Sequence, residues 1–183
     1  MKIFVNLITT IRLLYTLVLP IIKNKISNIA FIINILHLFL TDYIDGTLAR
    51  KNKVQTFYGS IMDTVADKVL CVMSLILLFE ENVMFELLLL GEIIIAVINI
   101  LAVVNGKKTG SSKIGKIKMW LISITVIFGY IESFGIFKNY VLIQSMIIIT
   151  FIIQLFTAIG YMKNLEISSK SSLNKDIMVG LKN

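Results

Sequence analysis

Four aspartates, Asp42, Asp45, Asp63 and Asp67, stand inside two long apolar runs of a 183-residue chain. A charged side chain at the centre of a membrane helix costs ~2.5–3.5 kcal/mol on insertion scales, so four unpaired ones would cost on the order of 10 kcal/mol. At that cost they need a task. Asp42 and Asp45 are three residues apart, and Gly46 and Ala49 continue the same helical face with small side chains. Gly59, Asp63 and Asp67 recur every four residues, a single stripe on the next helix. The connection, residues 50–56, is short and polar, which predicts antiparallel neighbours whose carboxylate faces meet. Asp42 lies only ~12 Å along the helix axis from Arg50, so the site belongs near one membrane surface, within reach of water.

Converging carboxylates repel, and like charges at short range do not all ionise without compensation. Two divalent cations balance four negative charges. An all-oxygen ligand set suits Mg²⁺ or Mn²⁺, and no Cys/His cluster offers a zinc site. Two carboxylate-held metals are a recurring device for displacement at phosphorus, since they stabilise both the attacking and the leaving oxygen. Gly46, Ala49 and Gly59 would let a bulky ligand approach the backbone. Arg50, always charged and able to bond bidentately, suits a diphosphate.

The elements that must position these groups follow from composition. The chain is 57% hydrophobic and 16% charged, with a mean hydropathy of +0.88, against ~45–50% and about 25% in ordinary soluble domains. That excludes a soluble enzyme, a disordered tail and a fibre, and the lone Cys71 excludes an internal disulfide framework. Apolar runs lie at 3–22, 27–49, 57–79, 83–104, 117–137 and 139–162. Each is close to the length that crosses about 30 Å of hydrocarbon as a helix. The expected architecture is all-α: a six-transmembrane-helix integral membrane bundle as one catalytic domain, 1–162, followed by a polar cytoplasmic tail, 163–183.

With the N-terminus inside, the inner segments carry thirteen Lys and Arg and the outer ones three, Lys23, Lys25 and Lys138. Both termini and the aspartate site are therefore expected on the cytoplasmic side of a multi-pass cell-membrane protein. No secretory signal peptide is read, because the first run carries Arg12 and lacks a small-residue cleavage site. The net charge of +7 would point to nucleic acid in a soluble protein. Here the basic residues lie between apolar runs, so membrane lipid and phosphate-bearing substrates are the expected partners, and no nucleic acid.

The pattern Asp42-x-x-Asp45-Gly46-x-x-Ala49-Arg50, eight residues, Gly59-x-x-x-Asp63-x-x-x-Asp67 resembles the signature of the CDP-alcohol phosphotransferases, without gap or substitution. Eight fixed positions match by chance at a given start on the order of 10⁻¹⁰ of the time. Asn6-Leu7-Ile8-Thr9-x-x-Arg12 with Pro20, Ala66-Asp67-Lys68, and Gly115-Lys116-Ile117-Lys118 are similar to motifs of the phosphatidylglycerophosphate synthase branch. The resemblance implies a homodimeric six-helix membrane enzyme that transfers phosphatidyl from CDP-diacylglycerol to an alcohol and releases CMP. It implies two metals on Asp42, Asp45, Asp63 and Asp67, with Asp67 also the general base. It places Asp42, Gly46, Ala49, Arg50 and Gly59 along the CDP, and Ser112, Lys116 and Lys118 at an acceptor phosphate. Three positions depart from the branch: Thr64 replaces a Pro, Gly91 replaces the Arg of an Arg-Glu pair, and Asn99 stands near a second expected Arg. The acceptor therefore stays open, with sn-glycerol 3-phosphate first and inositol phosphate, serine or another polyol next.

Plainer readings compete at several positions. Lys116 and Lys118 could be inner-surface anchors that snorkel. Glu92 could pair with Lys68 or Arg12, and Arg12 could meet a lipid headgroup or the site. His37 reads as an isolated packed or interfacial histidine and Cys71 as a small apolar packer. A cation carrier would place its carboxylates at the bilayer midplane on broken helices, and an inactive scaffold would release no CMP with any acceptor.

Overall fold

Helix-stop signals cut the apolar runs into helices in the computed structural model, six among the described residues: α1 Lys2–Lys23, α2 Asn28–Lys51, α3 Phe57–Phe79, α4 Phe85–Val104, α5 Lys113–Ser133 and α6 Tyr140–Gly180. The structure describes the backbone of residues 2–51, 57–104 and 113–180, with side chains at 7, 9–41, 62–102, 104 and 114–163. No strand occurs among the described residues. Phe85–Ala102, Ile114–Ser133 and Tyr140–Lys163 are long and apolar enough to cross a membrane, and Asn28–Thr41 is a shorter apolar stretch. The all-α membrane class expected from the sequence is the observed one.

Local chemistry explains the boundaries. Ser27 caps α2: its hydroxyl accepts from the Ala30 N–H and its carbonyl from the Phe31 N–H at 2.9 Å. Asn139 does the same for α6, accepting the Leu142 N–H on its side chain at 3.1 Å. The fifth helix begins four residues earlier and ends four residues earlier than the apolar run predicts. Its end is set by Gly135, which has a φ of +72°. The Gly135 N–H donates to Glu132 O at 2.8 Å and the Ile136 N–H to Ile131 O at 3.1 Å. This is the paired closure of a left-handed helix terminus, which only a residue without Cβ enters freely. Ile136 and Phe137 are apolar yet fall outside the helix for that reason.

Side-chain contacts fix the directions. The Tyr130 hydroxyl on α5 donates to Ser74 O on α3 at 3.0 Å, and the hydroxyls of Thr125 (α5) and Thr150 (α6) lie 2.9 Å apart. Helices α1, α3 and α5 run one way and α4 and α6 the other. The main apolar core gathers where α3 and α5 end, around Phe31, Leu75, Leu78, Phe85, Tyr130 and Ile147. Phe31 meets Tyr130 edge-on at 5.1 Å. A smaller cluster of Ile95, Ile98 and Ala158 joins α4 to α6. Outward rows such as Ile93, Val97 and Ile100 on α4 and Ile148, Ile152 and Phe156 on α6 are exposed, an apolar girdle that suits lipid.

Gly129 shows how tight the core is. A Cβ there would lie 2.5 Å from the Phe85 ring and 3.1 Å from Leu78 Cδ1. Phe85 is fully packed. Gly129→Ala is expected to destabilise the bundle by about 1–3 kcal/mol, read as a lower midpoint of thermal unfolding in detergent with the aspartate site intact.

Candidate functional site

Polar side chains collect in the half of the bundle where α3 and α5 begin. Asp63 and Asp67 stand one turn apart on α3 and share a face. Arg12 reaches them from α1: its Nη2 donates to Asp63 Oδ1 at 3.3 Å and to Asp67 Oδ1 at 2.8 Å. Its side chain is 3% exposed, against 33% and 26% for the two carboxylates. The guanidinium is thus sunk behind the acids, which keep an open side. Thr9, Arg12 and Thr16 form the buried polar stripe of α1 that presents this cation to α3.

A second charged group sits beside the first. Glu92 on α4, with a fully buried side chain, accepts from Lys68 through Oε2 and from Lys118 through Oε1. Lys68 follows Asp67 directly, so the two groups meet on α3. Gln154 on α6 donates through Nε2 to Leu88 O at 3.0 Å and to Glu92 Oε1 at 3.1 Å. Arg12, Lys68 and Lys118 carry three positive charges against Asp63, Asp67 and Glu92. That balance lets a low-dielectric bundle hold them, since buried charges are tolerated when paired and hydrogen-bonded.

Among the sequence candidates, the structure brings Asp63 and Asp67 together on Arg12 and sets the second lysine of the Gly-Lys-x-Lys motif in the adjoining Glu92 group. Lys118 is buried on Glu92, and Lys116, two residues before it, is exposed. Helix α2 runs unbroken through Asp42, Asp45, Gly46, Ala49 and Arg50, and α3 includes Gly59, but the side chains at these positions lie outside the described residues. Ser112 lies wholly outside them. Two further residues, Arg12 and Gln154, belong to this polar region. For Arg12 the sequence allows a lipid headgroup or the site, because spacing within one helix does not reveal the neighbouring helix. Gln154 is neutral and carries no charge signal; its only mark in the sequence is an amide in a run of apolar residues.

The donor set suits a hard cation. Asp63 and Asp67 point one oxygen each at a common positive group, and oxygen-only donors match Mg²⁺ or Mn²⁺. Among the described residues no cluster of three or more acidic, His or Cys side chains is formed. Further ligands would have to come from outside that set, where Asp42 and Asp45 lie.

Comparison with known proteins bears on this geometry. The pattern of the CDP-alcohol phosphatidyltransferase family matches residues 2–159. A CDP-diacylglycerol–glycerol-3-phosphate 3-phosphatidyltransferase of Bacillus subtilis is 30% identical over 90 residues, 47% of each chain. The protein of that name from Treponema pallidum is 29% identical over 98 residues, 51% of this chain and 45% of its own. The one from Haemophilus influenzae is 49% identical over 43 residues, 24% of this chain and 23% of its own. The aligned stretches thus span from about a quarter to about half of these relatives.

Proposed function

The chain belongs to the CDP-alcohol phosphatidyltransferase family, and from that premise we propose that it transfers the phosphatidyl group of CDP-diacylglycerol to a small alcohol, releasing CMP. The observation that carries the proposal is the pair Asp63 and Asp67, part-exposed on one face of α3 within an intact family signature. The names of the relatives support sn-glycerol 3-phosphate as the acceptor.

In this reading Asp63 and Asp67, with Asp42 and Asp45, hold two divalent cations, which supply charge stabilisation on the diphosphate oxygens when bound. Gly46, Ala49, Arg50 and Gly59 line the CDP. Asp67 takes the proton of the acceptor hydroxyl, which attacks the phosphorus bearing diacylglycerol, and CMP leaves. Arg12, behind the acids, holds both carboxylates by hydrogen bonds and fixes their direction. Lys116 and Lys118, with Ser112, take the acceptor phosphate. An ammonium has three N–H donors, and Glu92 uses one of those on Lys118.

The same reading places six spans in the cell membrane, with the site and both termini at the cytoplasmic face and residues 163–183 as a polar tail. The acyl chains of the donor stay in lipid, and two copies of the chain associate. The test is CMP release by the purified protein from CDP-diacylglycerol against a panel of acceptors, with the lipid product identified by mass. Release with glycerol 3-phosphate is expected; release with inositol phosphate or serine alone would move the assignment to that acceptor. Chelation by EDTA is expected to stop turnover, and added Mn²⁺ or Mg²⁺ to restore it. Turnover that persists in EDTA removes the metal from the scheme.

A further inference from the structure

Gln154 sits where a side chain of residue 91 would otherwise be. A Cβ on Gly91 would lie 2.7 Å from Gln154 Cδ and closer still to Oε1. Gly91 and Gln154 are both buried. The amide enters α4 through this gap and spans one helical turn, one N–H on the Leu88 carbonyl and the other on Glu92 Oε1. The reverse orientation of the amide would set its oxygen against two acceptors, so the hydrogen bonds fix which way it faces. Glu92 Oε1 also holds Lys118, and Oε2 holds Lys68. The direction of the carboxylate therefore decides where both ammonium groups stand.

We propose that Gln154 is a positioning residue: threaded through the opening at Gly91, it sets the Glu92 carboxylate and thereby the placement of Lys118 and Lys68 for an acceptor phosphate. The inference rests on the reaction proposed above for its functional consequence, but the positioning itself does not. Gly91 and Gln154 form one unit. Where Gly91 carries any side chain, the amide loses its place.

The test uses the full-length protein in detergent, as wild type, Gln154→Met, Gly91→Ala, Gln154→Ala and the double variant Gly91→Ala/Gln154→Ala. Methionine keeps the length and volume of the side chain without its donors. The first readout needs no activity: acylation by a water-soluble amine reagent, with Lys118 labelling measured by mass spectrometry relative to exposed Lys116. Gln154→Met and Gly91→Ala are each expected to raise that ratio about fivefold, because a less firmly held carboxylate releases the ammonium more often. In the Gln154→Ala background, Gly91→Ala is expected to add little, since the two changes remove one interaction.

The second readout is kinetic. Gln154→Met is expected to raise KM for glycerol 3-phosphate about tenfold, with KM for CDP-diacylglycerol within about twofold. Unchanged Lys118 labelling in both single variants overturns the proposal. So does a fall in kcat with both KM values unmoved, which would mark Gln154 as packing alone. If wild type releases no CMP with any acceptor, the reaction class fails, while the labelling ratio and its non-additivity still decide the positioning.

Discussion

Asp67→Asn is expected to lower CMP release by about 10³-fold or more while leaving the protein folded. The carboxamide has the shape of the carboxylate, so α3 packs as before. What it lacks is charge: it neither accepts the acceptor proton, a contribution of about 10²–10⁴ in rate, nor offers an anionic oxygen to a divalent cation. Arg12 keeps Asp63, whose Oδ1 is 3.3 Å from Nη2, so the tie between α1 and α3 survives. Turnover and thermal midpoint measured together separate the two effects, and Asp63→Asn should behave alike. Activity above about a tenth of wild type in either variant would remove that aspartate from the chemistry.

The largest effect on stability is expected at Glu92. Its buried carboxylate is the shared partner of Lys68 and Lys118, whose side chains are 27% and 4% exposed. Glu92→Leu leaves two ammonium groups facing each other without their anion. Removing one member of a buried pair costs about 3–5 kcal/mol, a large fraction of the stability of an ordinary domain. Loss of folded protein on extraction is the expected outcome. The triple variant Glu92→Leu/Lys68→Met/Lys118→Met separates charge from shape. Apolar replacement of a whole buried ionic group is often neutral or stabilising, so its unfolding midpoint should recover toward wild type, while turnover stays low. A stable single variant would show that water reaches the lysines and that the triad is not closed.

The helices could be read from the sequence because lipid leaves the backbone no other arrangement. Five of the six predicted starts lie within two residues of the observed helices. The exception is α5, which begins at Lys113, ahead of the apolar run at 117, and so takes in Lys113 and Lys116. Hydropathy alone excluded those lysines, although a long amphipathic side chain is no bar to helix. The carboxylate stripe on α3 was readable from a spacing of four. Its partner was not: among the described residues α3 packs chiefly on α1 and α4, and the cation that meets it comes from α1. Periodicity gives the face of a helix, whereas the neighbour that covers the face is a property of the whole packing. Lys118 illustrates the same limit. Its place near a basic connection allows both an anchor and a phosphate ligand, whereas its ion pair with Glu92 appears only once α5 and α4 are in position.

Helices α1 and α3 are joined at two heights. Arg12 holds Asp63 and Asp67, and ~16 Å further along α1 Lys23 donates to Leu77 O at 3.2 Å and to Glu81 at 3.0 Å. Sliding one helix past the other by a turn would break both joints at once. Bilayers differ in thickness, and a span can answer by shifting, bending or leaning. With this ladder in place α3 is denied the first response relative to α1, so the two helices bend or lean together, carrying Asp63 and Asp67 at a constant depth relative to α1.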